Sequence, residues 1–161
     1  MIRPVSHTDT LPIAEIYNYY IRETAVTFEE EEISADEIRA RIQKVESAGL
    51  PWLVAKQEEK IAGYAYATKW KERSAYRYSA EISVYVAHDQ HGKGWGTKLY
   101  EALFDELKNK EIHLVIGGIT LPNTSSVALH QKFGMEKVAH FKEIGFKFGQ
   151  WRDVGYWQRK L

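Results

Sequence analysis

The 161 residues carry 22 basic and 22 acidic side chains, a formal charge of zero, so no excess field draws the chain to nucleic acid or to anionic lipid. A content of 44% hydrophobic and 27% charged residues, with only four prolines, excludes a disordered chain and supplies a core for one domain over 1–161. The absence of cysteine excludes disulfides, thiolate metal ligands and a cysteine-bound intermediate.

The first residues lack the basic and apolar regions of a secretory signal, and no apolar run approaches the roughly 18–20 residues of a membrane span. The expectation is a cytoplasmic protein with no membrane partner. "MIRPV" reads as a short strand, followed by Ile13, Ile16, Tyr17, Tyr20 and Ile21 at helical spacing. "TAVTFEEE" can be extended. Ser34 to Glu37 has the spacing of a capping box, and Ile38, Ile42 and Val45 then share one helix face until "AGLP" ends it.

"WLVAKQ" (52–57) and "IAGYAYATKW" (61–70) read as an antiparallel hairpin, followed by the polar, aromatic loop "KERSAYR". "YSAEISVYVA" (78–87) is the most strand-like run. After "QHGKGWG", Leu99, Leu103, Phe104 and Leu107 mark a helix from Thr97 to about Lys108. In the next strand, "HLVIGGITL" (113–121), Gly117 and Gly118 predict a bulge or the close approach of another group. "PNTSS" introduces a short helix through His130 that ends at Gly134, and "MEKVAHFKEIGF" with "WRDVGYWQRKL" forms a closing antiparallel pair. Aromatic residues crowd into 64–85 and 141–157, where core packing and pocket walls are the expected uses. The order is mixed α+β.

The glycines of "QHGKGWGTKL" admit several readings. A dinucleotide fingerprint needs its third glycine one position later, where Thr97 stands, and a P-loop needs a Gly-Lys-Ser/Thr ending that is absent. Two readings remain: a turn needed only for its backbone angles, or one that bares amides at a helix N-terminus to an anion, with Lys93 and Lys98 adding charge.

"VYVAHDQHGKGWGTKLYEALF" resembles the acetyl-CoA motif of the GNAT superfamily of N-acetyltransferases, a Gln/Arg-x-x-Gly-x-Gly/Ala turn between the fourth strand and the third helix. The aligned turn is His91, Gly92, Lys93, Gly94, Trp95 and Gly96, with Thr97 next; His91 stands where the family has Gln or Arg. "LPNTSSVALHQKFGM" resembles the superfamily's Asn-containing segment, giving Asn123 and Ser126 as cofactor contacts and His130 in place of a Tyr. "WKERSAYRYSAEISVYV" and "GFKFGQWRDVGYWQ" narrow the resemblance to the phosphinothricin and methionine sulfoximine/sulfone acetyltransferase branch.

The resemblance implies a GNAT fold, a mixed, mostly antiparallel sheet flanked by helices and split near Val84, Tyr85 and Val86, whose backbone holds the pantetheine arm and polarises the thioester carbonyl. It implies acetyl-CoA as co-substrate, a small amino-acid-like acceptor and a homodimer. Glu81 is the aligned general base; without the resemblance it reads as a solvated strand carboxylate. Alternation puts Glu81, Ser83 and Tyr85 on one face of their strand and Ala80, Ile82 and Val84 on the other. His130 is either a proton donor to the leaving thiolate or a packed helix histidine. Lys71 and Arg73 match the branch's anion-binding positions, with surface charge as the alternative, and Tyr76 and Phe28 are pocket walls or core.

His88 and His91 have no carboxylate at metal-site spacing, so no metal is expected. The C-terminal aromatic run has no basic footprint to make it a nucleic-acid surface, and core packing or a subunit interface suits it better. Two alternatives stand beside the acetylation of an amino-acid analogue. One is an acetyltransferase for another small amine, although Lys71 and Arg73 would repel a polyamine. The other is an acyl-CoA-binding sensor without turnover.

Overall fold

In the computed structural model, which describes residues 1–161, strand β1 (Ile2–Pro4) leads to helices α1 (Thr10–Glu23) and α2 (Ala35–Ser47). Strands β2 (Trp52–Gln57), β3 (Lys60–Lys69) and β4 (Ser79–Val86) follow, then α3 (Trp95–Lys108), β5 (Leu114–Leu121), α4 (Thr124–Lys132), β6 (Glu136–Lys147) and β7 (Gln150–Lys160). The seven strands form one sheet in the order β1-β2-β3-β4-β5-β7-β6. Only β4 and β5 pair in parallel, and α3 is the crossover that a parallel pair requires.

Each face of the sheet is covered by two helices. Tyr64 and Tyr85 are cross-strand partners and so share a face; Tyr17 and Tyr20 of α1 pack edge-on against Tyr85, with ring centroids 5.2 Å away in both pairs. α2 lies on the same side, its N-cap Ser34 Oγ accepting from the Glu37 amide at 3.1 Å and its Ile38, Ile42 and Val45 buried as the spacing predicts. The opposite face packs on α3. There Gly63 lets Leu99 approach, because a Cβ at Gly63 would meet Leu99 Cδ1 at 3.2 Å.

Three segments take a more definite form than their sequence patterns give them. Thr24 to Glu31 is not a strand: side chains rather than a ladder meet its polar groups, with Thr27 Oγ1 2.7 Å from the Tyr17 hydroxyl and Thr27 O accepting from Lys147 Nζ at 2.8 Å. α3 begins at Trp95, two residues before Thr97, so the helix reaches into the glycine turn. Between 64 and 85 the aromatics Tyr64 and Tyr85 pack in the core, whereas Phe146, Phe148 and Trp151 stay 54%, 55% and 63% exposed on the C-terminal hairpin. β6 is an edge strand, so these side chains have no sheet neighbour beyond it.

Candidate active site

The site begins where β4 and β5 part. Their pairing covers only Ser79 to Glu81 against Leu114 to Ile116, yet β4 runs on to Val86 and β5 to Leu121. Beyond Glu81 the β5-facing edge of β4 is therefore unpaired. The split starts nearer the beginning of β4 than the expected Val84 to Val86, and it includes them. A narrow crevice of ≈ 60 Å³ follows the gap, bordered by Val84 and Tyr85 on one side and by Asn123, Ser126 and His130 on the other.

Gly117 and Gly118 sit on the β5 side of this gap, and the reason is close approach rather than a bulge, since β5 pairs β7 without a register break from Leu114 to Leu121. A Cβ at Gly117 would meet His130 Nε2 at 2.8 Å, and one at Gly118 would meet the Tyr156 ring at 2.9 Å. Gly117 admits α4 from one face, and Gly118 admits an aromatic wall from the other.

His130 is buried, and both its nitrogens are engaged. A carbonyl only accepts, so Nδ1–H donates to Ser126 O at 2.7 Å, which leaves Nε2 to accept from the Tyr100 hydroxyl at 3.0 Å. Burial lowers its pKa and favours this neutral form. Of the two readings of His130, this geometry is that of a packed helix histidine, and its ring fixes Tyr100 of α3. Asn123 caps α4, its Oδ1 accepting from Ser126 N at 3.1 Å.

At the far end of β4 the glycine turn enters α3. Gly92 and Gly94 adopt φ of +77° and +81°, and Gly94 is the α3 N-cap. A Cβ on either would meet nothing within 4 Å, so the space over the turn is open. Lys98 N, bonded to Gly94 O at 3.1 Å, is where the helical ladder starts, and the amides before it have no intrahelical acceptor. The 14-residue α3 adds the positive end of its dipole. Lys93 stands in the turn, Lys98 lies over the Trp95 ring at 4.8 Å, and Lys132 Nζ reaches Thr97 Oγ1 at 3.5 Å. Lys132 was not legible as part of this site, because only the packing of α4 beside α3 brings it there.

His91 stands at the entry to the glycine turn. The Tyr20 hydroxyl donates to Val86 O, and His91 Nε2 lies 2.8 Å from that hydroxyl and 3.2 Å from Val86 O. Its ring is tied to the end of β4 rather than turned out to meet a phosphate.

On the α1 and α2 side of the sheet, a cleft of ≈ 620 Å³ opens over the diverging strands. Glu81, Ser83 and Tyr85 line its floor as the alternation predicts, and Lys71 and Trp70 line one side. Val26, Thr27 and Phe28 of the loop after α1 form another wall. Tyr156 and Val154 of β7 with Phe141 and Ile144 of β6 close it. The register of β6 against β7 shifts between Phe141 and Gly145, and this bulge brings the apolar residues of β6 to the cleft, a feature the sequence pattern does not reveal. Burial raises the pKa of Glu81, and the positive charge of Lys71 partly offsets that rise. Arg73 and Tyr76 do not line the cleft. They lie on the exposed turn at Ser74 to Tyr76, where Arg73 O accepts from Tyr76 N at 3.0 Å.

The arrangement offers a half-buried carboxylate, a cation and an apolar wall on one side of a strand gap, and an anion cradle at the gap's end. Residues 2–155 match the family model described as an acetyltransferase (GNAT) domain. The chain is 40% identical over 161 residues to phosphinothricin N-acetyltransferase of Alcaligenes faecalis, spanning 99% of this chain and 82% of that protein. It is 33% identical over 160 residues to L-methionine sulfoximine/L-methionine sulfone acetyltransferase of Salmonella typhimurium, spanning 99% and 94%. The solved structure of a GNAT superfamily phosphinothricin acetyltransferase from Sinorhizobium meliloti in complex with AcCoA is similar with a TM-score of 0.97 at 33% identity, covering 100% of this chain and 88% of that one.

Proposed function

The chain belongs to the GNAT family of acetyltransferases, and we propose that it transfers the acetyl group of acetyl-CoA to the α-amino group of a small amino-acid analogue, such as methionine sulfoximine, methionine sulfone or phosphinothricin. The observation that carries this reading is Glu81, a carboxylate of raised proton affinity on the floor of a cleft that opens onto the parted strands.

The residues present fit acetyl-CoA. Gly92 to Thr97 would hold the pyrophosphate through backbone amides, with Lys93, Lys98 and Lys132 nearby, and the open space at Gly92 and Gly94 leaves room for it. The unpaired edge of Val84 to Val86 would hold the pantetheine arm, with Asn123 and Ser126 across the crevice. When bound, acetyl-CoA supplies the thioester acetyl group.

Glu81 takes the proton of the attacking amine, directly or through a water, and unpaired β4 amides stabilise the oxyanion. A thiol with a reference pKa near 8.5 leaves without strong acid assistance. Tyr100 borders the crevice, but its one hydroxyl proton is donated to His130, so it holds that ring rather than serving the sulfur. Retention of Glu81 in this position disfavours a binding-only sensor.

Lys71 is the one cation lining the cleft and Glu81 the one carboxylate, while aliphatic and aromatic side chains form most of the remaining wall. One cation matches the α-carboxylate of the acceptor and leaves none in the cleft for a phosphinate, whose charge would add to that of Glu81. In a thiol-release assay over amino acids and analogues, methionine sulfone and sulfoximine are expected to exceed phosphinothricin in kcat/KM by about tenfold or more; the opposite order would contradict the charge count. In the same assay Lys71→Met raises the KM of the amino acid, and Arg73→Ala, outside the cleft, leaves it within about twofold.

The exposed Phe146, Phe148 and Trp151 on the edge hairpin support a homodimer through this surface, close to the β6 residues that wall the cleft. Sedimentation velocity is expected to give twice the chain mass, and Trp151→Glu to shift the population to monomer. A monomeric wild type at micromolar concentration would remove this interface.

A further inference from the structure

The loop between α1 and α2 and the hairpin of β6 and β7 are far apart in sequence, yet together they make two walls of the cleft. What joins them is Lys147. Its side chain is 2% exposed, has no carboxylate within salt-bridge distance, and donates from Nζ to Thr27 O at 2.8 Å. An ammonium and a neutral amine both carry the N–H that this bond needs. Beside it, Gly145 receives the Phe28 ring so closely that a Cβ there would meet Phe28 Cε2 at 2.3 Å.

On its other side the loop is tied to the helices. Thr27 Oγ1 meets the Tyr17 hydroxyl, and Glu29 accepts a two-pronged pair from Arg41 at 2.7 and 2.8 Å. Thr27 thus stands between a fixed anchor on α1 and α2 and a single buried amine from the hairpin. Burying a lysine whose only hydrogen-bond acceptor is a main-chain carbonyl, with Glu29 and Glu30 offsetting its charge only from beyond salt-bridge distance, is unfavourable for stability. What the contact does secure is the distance between the Phe28 wall and the β6 wall.

We propose that Lys147 is a positioning residue for the acceptor, fixing Val26 to Phe28 against the hairpin and so setting the width of the amino-acid pocket. This rests on the reading of the cleft as the acceptor site. It calls for no contact between Lys147 and the substrate.

Lys147→Met keeps the apolar stem and removes the donor. The expected result is a rise of about tenfold in the KM of the amino-acid acceptor, the effect of losing one strong hydrogen bond, with kcat and the KM of acetyl-CoA within about twofold. Amide hydrogen exchange of the same variant is expected to quicken in residues 25–30 while β7 and α3 keep their protection. Gly145→Ala, which displaces Phe28 from the same seam without touching Lys147, is expected to give the same KM split and keeps the test available should Lys147→Met fold poorly. An unchanged acceptor KM in folded Lys147→Met, or losses shared equally by acetyl-CoA and acceptor with exchange quickened across the sheet, would overturn the proposal. The exchange readout does not use turnover, so it separates failure of this proposal from failure of the acceptor-site reading.

Discussion

Glu81→Gln is expected to lower kcat by about 10²- to 10⁴-fold, the usual range for removing a general base, while acetyl-CoA affinity stays within about twofold because Glu81 lies off the crevice and the glycine turn. The pH profile gives a second reading. An acceptor enters as an ammonium and must lose a proton, so log kcat/KM rises with a slope of one up to the amine pKa and with a slope of two below the pKa of Glu81. Burial raises that pKa above the ordinary value of 4.5, so the break falls at a higher pH than for an exposed glutamate. In Glu81→Gln the slope of two disappears.

Stability should not fall with activity. A carboxyl whose folded pKa exceeds its unfolded pKa stabilises the fold below the unfolded value, and that contribution is lost as pH rises through the folded one. At neutral pH the substitution therefore removes an unfavourable buried charge, and Tm is expected to hold or rise. His130→Gln is the contrasting variant: its ring only fixes Tyr100, and kcat is expected to stay within about tenfold. Unchanged turnover in Glu81→Gln would remove it from the base role, and a larger loss in His130→Gln would shift the proton chemistry to the pair on α3 and α4.

The second large effect is expected at Gly94. A side chain at φ +81° costs about 1–2 kcal/mol, which for a domain of this length lowers Tm by about 2–8 °C. Relief of that strain would turn the amides at the start of α3, so acetyl-CoA affinity in Gly94→Ala is expected to fall by at least about tenfold. Gly49→Ala is the control, since Gly49 has a similar φ of +72° with nothing within 4 Å of an added Cβ and lies beyond the end of α2, outside the turn. Calorimetric titration with acetyl-CoA should separate the two. Equal affinities would mean that the turn's backbone does not hold the cofactor.

What could be read in advance follows from how local each signal is. Ser34, the α2 spacing and the β4 alternation express contacts within one element, and they placed the helices, the sheet strands and the Glu81 face. The glycine turn was legible because Gly92 and Gly94 state a backbone conformation. The surroundings of the cleft and crevice were not, because they depend on how elements meet: the β6 bulge, Tyr156 over Gly118, Tyr100 bonded to His130 and Lys147 beside Thr27 all join residues distant in sequence. Arg73 and Tyr76 show the converse. Their position in "WKERSAYR" matched a pattern, but the turn that follows β3 carries them away from the cleft while leaving Lys71 in it. His91 likewise held its place in the motif, although its ring is tied to Val86.

The most direct measurement is the release of free CoA from acetyl-CoA as methionine sulfone is titrated in, with the N-acetylated amine quantified by mass spectrometry. Acetyl transfer to the α-amino group requires release that saturates with the amine and matches the product mole for mole. Release no greater than the no-amine background across a panel of amino acids and analogues, in a protein that still binds acetyl-CoA, would contradict it and leave a binding module in its place.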